Sequence, residues 1–168
     1  MSSDSKRKRV KLRQGDLFEF LVTDGRLGYG LVIIPGGVLY AAFFKNLHSS
    51  RPDIASLLAD EIALVGTTMD SMFYHGRWSV IARDQPIPAA IPFPNWKVKV
   101  GDELRTTDFE GRSLWPMRPD EVDLLDYKFS RAPLGYLDAL EALNGFGEWQ
   151  DSYDKLTPAY AARRVTRA

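Results

Sequence analysis

The chain has no cysteine, which excludes disulfides, iron–sulfur clusters and thiol catalysis and fits a reducing compartment. Histidine is nearly as scarce: His48 and His75 are the whole supply. A Ser-His-Asp triad would have to use one of them, and no nucleophile-elbow pattern is present. His48 with Asp53, or His75 with Asp70, gives at most two metal ligands with no fixed spacing. No apolar run approaches about 18 residues, and the N-terminus is polar and basic with no apolar core of a leader. Gly-Lys-Ser/Thr is absent, and Gly25, Gly28 and Gly30 precede a strand-like run where a phosphate loop needs a helix. Paired carboxylates are expected by chance among 22 acids. These absences predict a cytoplasmic protein that is no enzyme and holds no metal or cofactor.

What is present is an ordinary globular composition, 45% hydrophobic and 26% charged over 168 residues, which fits one domain. The net charge of zero conceals a pattern. Residues 1–13 carry six Lys/Arg against Asp4, and residues 155–168 carry four against no acid, so 14–154 hold 12 bases and 21 acids. The expectation is a basic flexible tail over 1–13 and a single acidic-bodied domain over 14–168.

The organising stretch is Gly15 to Phe44, two long apolar runs joined at Asp24-Gly25 and a third after Pro35-Gly36-Gly37. Asp-Gly between such runs predicts a hairpin with a type I′ turn. Gly28 and Gly30 inside the second run predict a bulge, a bend or close approach of another backbone. Further strands are expected at Ile62–Thr68, Arg77–Ala82, Trp96–Val100, Glu103–Phe109 and Arg112–Trp115, with a proline-rich extended connector over Gln85–Pro94. Pro52-Asp53 opens a short helix through Leu58. Pro133 opens a longer one, with Leu134, Leu137, Leu140 and Leu143 every three residues and Asn144-Gly145 closing it. Thr157-Pro158 starts a last helix to about Val165. The fold class expected is α+β: a strongly bent antiparallel sheet or small barrel of six to seven strands with two C-terminal helices.

Several of these residues carry a resemblance. Gly15-Asp16, the strand LFEF, and DGRLGYG opening the next strand resemble the start of the Immunity protein 26 family of bacterial polymorphic toxin systems. Gly76-Arg77-Trp78 followed by Val80-Ile81, then Pro92-Phe93, then a helix after Ser130, follow in the family's order, so the resemblance spans about Lys11 to Leu143. It implies an α+β fold, no catalysis, and a cognate protein toxin as partner.

Three segments are rich in acid and poor in base: 53–70, 102–126 and 138–154. An acidic inhibitor would be steered onto a basic toxin, such as a nuclease whose surface must hold phosphates. The partner-binding residues expected are Asp53, Asp60, Glu61, Asp120, Glu121 and Asp123, acids beside turns and helix starts. Phe93 and Trp115 beside prolines are expected as exposed aromatic anchors, whereas Trp78 and Trp96 alternate with aliphatics and are expected in the core. No membrane partner and no specific nucleic acid are expected, and the oligomeric state is open. The alternative is a small-barrel nucleic-acid-binding module that uses the basic terminal tails.

Overall fold

A computed structural model of the chain, which describes residues 10–168, contains two antiparallel sheets that do not close into a barrel. The first has five strands in the order β4-β3-β2-β1-β5: β1 (Leu17–Leu21), β2 (Leu27–Ile34), β3 (Val38–Phe44), β4 (Ile62–Met69) and β5 (Trp78–Ala82). The second has three, β6 (Trp96–Val100), β7 (Glu103–Thr107) and β8 (Leu114–Pro116), in sequence order. Eight strands therefore replace the six or seven expected.

The long apolar runs are explained by burial of the first sheet on both faces, since alternate side chains then all enter a core. One face sends Phe18, Phe20, Leu39, Phe43 and Leu64 against helix α4 (Pro133–Leu143) and a 3-10 helix (Asp151–Leu156), meeting Tyr136, Leu140, Tyr153 and Leu156. The other sends Leu17, Tyr29, Leu31, Tyr40 and Phe44 against Leu57 of α1 (Ile54–Leu58), Ile91 of the connector, Trp96, Phe109 and Ala161 of α5 (Pro158–Ala162). Short helices α2 (Ser71–Tyr74) and α3 (Glu121–Leu124) complete the chain.

The hairpin at Asp24-Gly25 forms with a different turn. Gly25 N–H donates to the Val22 carbonyl and Val22 N–H to the Arg26 carbonyl, and Gly25 alone of the loop has positive φ, +86°. This is the three-residue loop of a type I turn followed by a left-handed glycine. Gly28 and Gly30 mark neither bulge nor bend. They pair across the ladder with Phe20 and Phe18, and a Cβ on either would lie 2.3 Å from the facing phenyl ring. The register shift of this sheet region falls at Val32/Ile34 instead.

Helix α4 begins at Pro133 and ends at Asn144 with Gly145 at φ +83°, as its sequence predicts. Its three-residue leucine spacing is not the buried stripe. Steps of three at 3.6 residues per turn drift by about 60° each, so Leu137 and Leu140 are buried while Leu134 and Leu143 face outward. Thr157 caps α5 by accepting from Tyr160 N–H, but the helix stops at Ala162.

Candidate partner-binding surface

The acids that the sequence singles out separate into places with different fates. Glu121 has no exposed surface. Its two oxygens accept from Arg167 Nε and Nη2, Arg118 N–H, Thr166 Oγ1 and Thr106 Oγ1. The Arg167 hydrogen bonds, joined by those from Arg118, Thr166 and Thr106, outweigh burial and hold the carboxyl well below the ordinary range. The expectation that Glu121 contacts a partner is corrected accordingly: the chain's own C-terminal segment occupies it. Asp120 lies 3.4 Å from Arg118 Nε in an exposed ion pair, and Asp123 is exposed on α3.

Asp53 is the N-cap of α1, accepting from Ser56 N–H and Oγ; the backbone donation chiefly lowers its pKa. Asp60 accepts from Asn46 N–H and Nδ2, and Glu61 pairs with Lys45 at 3.1 Å. Asn144 Nδ2 donates to the Lys45 carbonyl, which sets the Asp60–Glu61 turn beside the C-terminal end of α4. From there the chain returns to Ser152, whose carbonyl meets Arg131 just ahead of α4, so residues 145–151 run back alongside the helix. Two of the three acidic segments thus meet on one side.

That side carries Asp138, Glu148, Asp151 and Asp154, all exposed, with no Lys or Arg between 132 and 154. Among the described residues, Asp138, Glu148 and Asp151 have no ion-pair partner, whereas Asp16, Glu19, Glu103, Glu110 and Asp126 each face an arginine or lysine. Leu134, Leu143, Phe146 and Trp149 are exposed among these acids. Composition shows the acidity of this segment, whereas the exposed Phe146 leaves no sequence signal, because an aromatic in a loop has no burial pattern of its own.

Phe93 is exposed and Trp115 half-buried, and they line one groove of about 350 Å³ with Ile34, Asn95, Phe109 and Arg167. Phe93 packs on Tyr40, which pairs with Thr67, while Ile62 at the other end of β4 follows Glu61. The aromatic pair and the Asp60–Glu61 turn therefore lie toward opposite ends of the β3–β4 ladder and do not form one contact surface. Trp78 and Trp96 are in the core.

Of the basic stretch at the start, residues 1–9 lie outside the described residues; Leu12 packs on the core and Arg13 N–H donates to Asp16. At the other end Lys155 and Arg164 face Asp126, and Arg167 faces Glu121. Three of the four C-terminal bases are thus ion-paired within the chain while Arg163 is exposed, and the barrel assumed by the nucleic-acid alternative does not form. Among the described residues no three His, Asp or Glu side chains gather as a metal site, and no helix is long and apolar enough to cross a membrane.

A model of Immunity protein 26 matches residues 13–108, more than half of the 168. The chain belongs to the Immunity protein 26 family. No curated protein and no solved structure matches it. The matched span holds the five-stranded sheet, the connector and β6–β7, and stops short of Trp115, Asp120 and the helix at Pro133 that the sequence resemblance included. Within this Immunity protein 26 chain the landmark residues have definite jobs. Gly15 adopts φ +80°, and a Cβ there would lie 2.5 Å from the Gln85 carbonyl oxygen, so backbone passes where a side chain would stand. Asp16 is buried and accepts from Arg13 N–H and Arg83 Nη1. Trp78 stacks on Phe18 at 5.0 Å.

Proposed function

We propose that this Immunity protein 26 member neutralises a cognate protein toxin by binding it, without catalysing a reaction. The acidic side formed by α4, its returning segment and the Asp60–Glu61 turn receives a basic surface of the toxin. The observation that carries this reading is local: Asp138, Glu148 and Asp151 are exposed without an ion-pair partner in a span, 132–154, that contains no Lys or Arg. Uncompensated charge of one sign raises encounter rates with the opposite sign, and exposed Phe146 and Trp149 supply apolar area for the contact itself. A nuclease fits as the toxin class, because it must hold phosphates and is basic at that surface; covering it would block nucleic acid.

Co-expression with the toxin encoded beside this chain tests the reading. Growth should be rescued and the two proteins should co-purify; failure of every neighbouring gene product to bind would sink it. Phe93→Ala with Trp115→Ala separates the two surfaces. If that pair abolishes binding and charge reversal on α4 does not, the contact lies at the aromatic groove.

A further inference from the structure

Between the second sheet and Tyr127-Lys128 lies a second groove, of about 520 Å³, walled by Trp96, Val98, Val100, Phe109, Leu114 and Tyr127. Val98, Val100 and Leu114 share one face of the sheet by register, and Val100, Leu114 and Tyr127 are exposed. The charges along it do not cancel. Its two acids are engaged: Asp108 accepts from Arg112 and Ser113 N–H, and Glu110 pairs with Arg112. Its two bases are not. Lys97 lies over the Tyr127 ring and Lys128 over the Phe109 ring, and each donates to one backbone carbonyl. Among the described residues neither lysine has a carboxylate partner. The groove therefore suits an aromatic side chain accompanied by carboxylates.

Residues 145–151 of the same chain have that chemistry. Phe146 is exposed between Gly145 and Gly147, which adopt φ +83° and +95°, and the unpaired acids Glu148 and Asp151 follow. The two left-handed glycines turn the loop tightly about Phe146, and a Cβ on either would meet nothing within 4 Å, so this tip is open to a partner. Phe146 N–H donates to the Glu141 carbonyl near the end of α4, the helix packed on the Phe18 face of the first sheet. Trp96 and Phe109 pack on the opposite face. Tip and groove can therefore meet only between two molecules. We propose that a second copy of this chain seats its Phe146 tip in the groove, with Glu148 and Asp151 toward Lys97 and Lys128. A formal net charge of zero leaves no net repulsion between copies. Because the contact joins two different patches, it passes from copy to copy until a ring closes. The tip belongs to the surface proposed for the toxin, so assembly covers it until a toxin displaces the neighbour. That consequence, though not the assembly, rests on the proposed function.

Sedimentation velocity of the full chain at rising concentration tests the contact. Oligomers that grow with concentration and weaken at high salt are the expected result. Lys97→Glu with Lys128→Glu spoils the groove and Phe146→Ser spoils the tip, so each of these chains should remain monomeric. Mixed in equal amounts they should form a dimer that grows no further, because one brings an intact tip and the other an intact groove. A monomer at every concentration overturns the proposal, and that measurement needs no variant. Assembly that neither variant weakens overturns it too, as does a mixture that yields no dimer, the outcome for a symmetric pair. The groove variant keeps the acidic side of α4 and should still bind the toxin. Absence of assembly with toxin binding intact therefore sinks this contact alone, and assembly without toxin binding sinks only the proposed function.

Discussion

Arg167 donates from Nε to Oε1 and from Nη2 to Oε2 of Glu121, a carboxylate with no exposed surface, 46 residues away in the chain. The second-last residue thus closes over the second sheet. Removing one partner of such a pair strands a buried charge, so Arg167→Ala should cost about 3 kcal/mol. Arg118, 3.4 Å from Oε1, keeps the loss at this lower end. Arg167→Lys retains charge without the two-pronged fork and should lose less. Chemical denaturation measures both; a loss below about 1 kcal/mol for Arg167→Ala would place the pair with ordinary surface pairs.

The same pair makes stability depend on acid. Glu121 is held by the Arg167 hydrogen bonds below its usual value of 4.5, so it is depressed in the folded state relative to the unfolded one. Its contribution is complete above about pH 4.5 and is lost as pH falls from there toward the folded-state value. Unfolding free energy measured from pH 7 down to pH 3 should decline below pH 4.5, and Glu121→Gln should flatten that decline. Equal slopes in the two proteins would assign the acid sensitivity to other carboxylates.

Gly30→Ala should destabilise the chain by about 1–3 kcal/mol, the usual range for overpacking. The added methyl would lie 2.3 Å from the Phe18 ring and 2.9 Å from the Ala42 carbonyl oxygen, and that ring is stacked on Trp78 and edge-on to Phe43. Phe18→Leu in the same chain should recover part of the loss, because the two sites share the clash and are not additive. Equilibrium unfolding of the two single variants and the double variant reads the coupling.

If the acidic side of α4 steers the toxin, Glu148→Lys with Asp151→Lys should slow association about tenfold at low salt and change melting little. Asp102→Lys with Asp123→Lys, exposed acids near the second sheet, should leave the rate near its original value. Stopped-flow mixing with the partner at two salt concentrations separates steering from contact, since only steering weakens with salt.

Legibility along this chain followed the range of the interaction. Asn144-Gly145, Pro133 and Thr157-Pro158 act within one turn of helix, so the limits of α4 and the start of α5 are readable from neighbours alone. The hairpin at Asp24-Gly25 is equally local, but its turn type depends on which backbone hydrogen bonds close it. Ser71–Tyr74, Glu121–Leu124 and Asp151–Leu156 are each at most six residues long, too short for any periodicity to show.

By itself the sequence determined the antiparallel meander, the C-terminal helices and the family, because apolar runs and turn residues act between neighbours. Only the tertiary structure decided which acids remain exposed. Glu121 and Asp123 sit two positions apart in the same acidic run, yet one is buried beneath Arg167 and the other faces solvent. The reason is physical: one turn of helix turns its successive side chains in different directions, and the counter-ion that claims the inward one arrives from the far end of the chain.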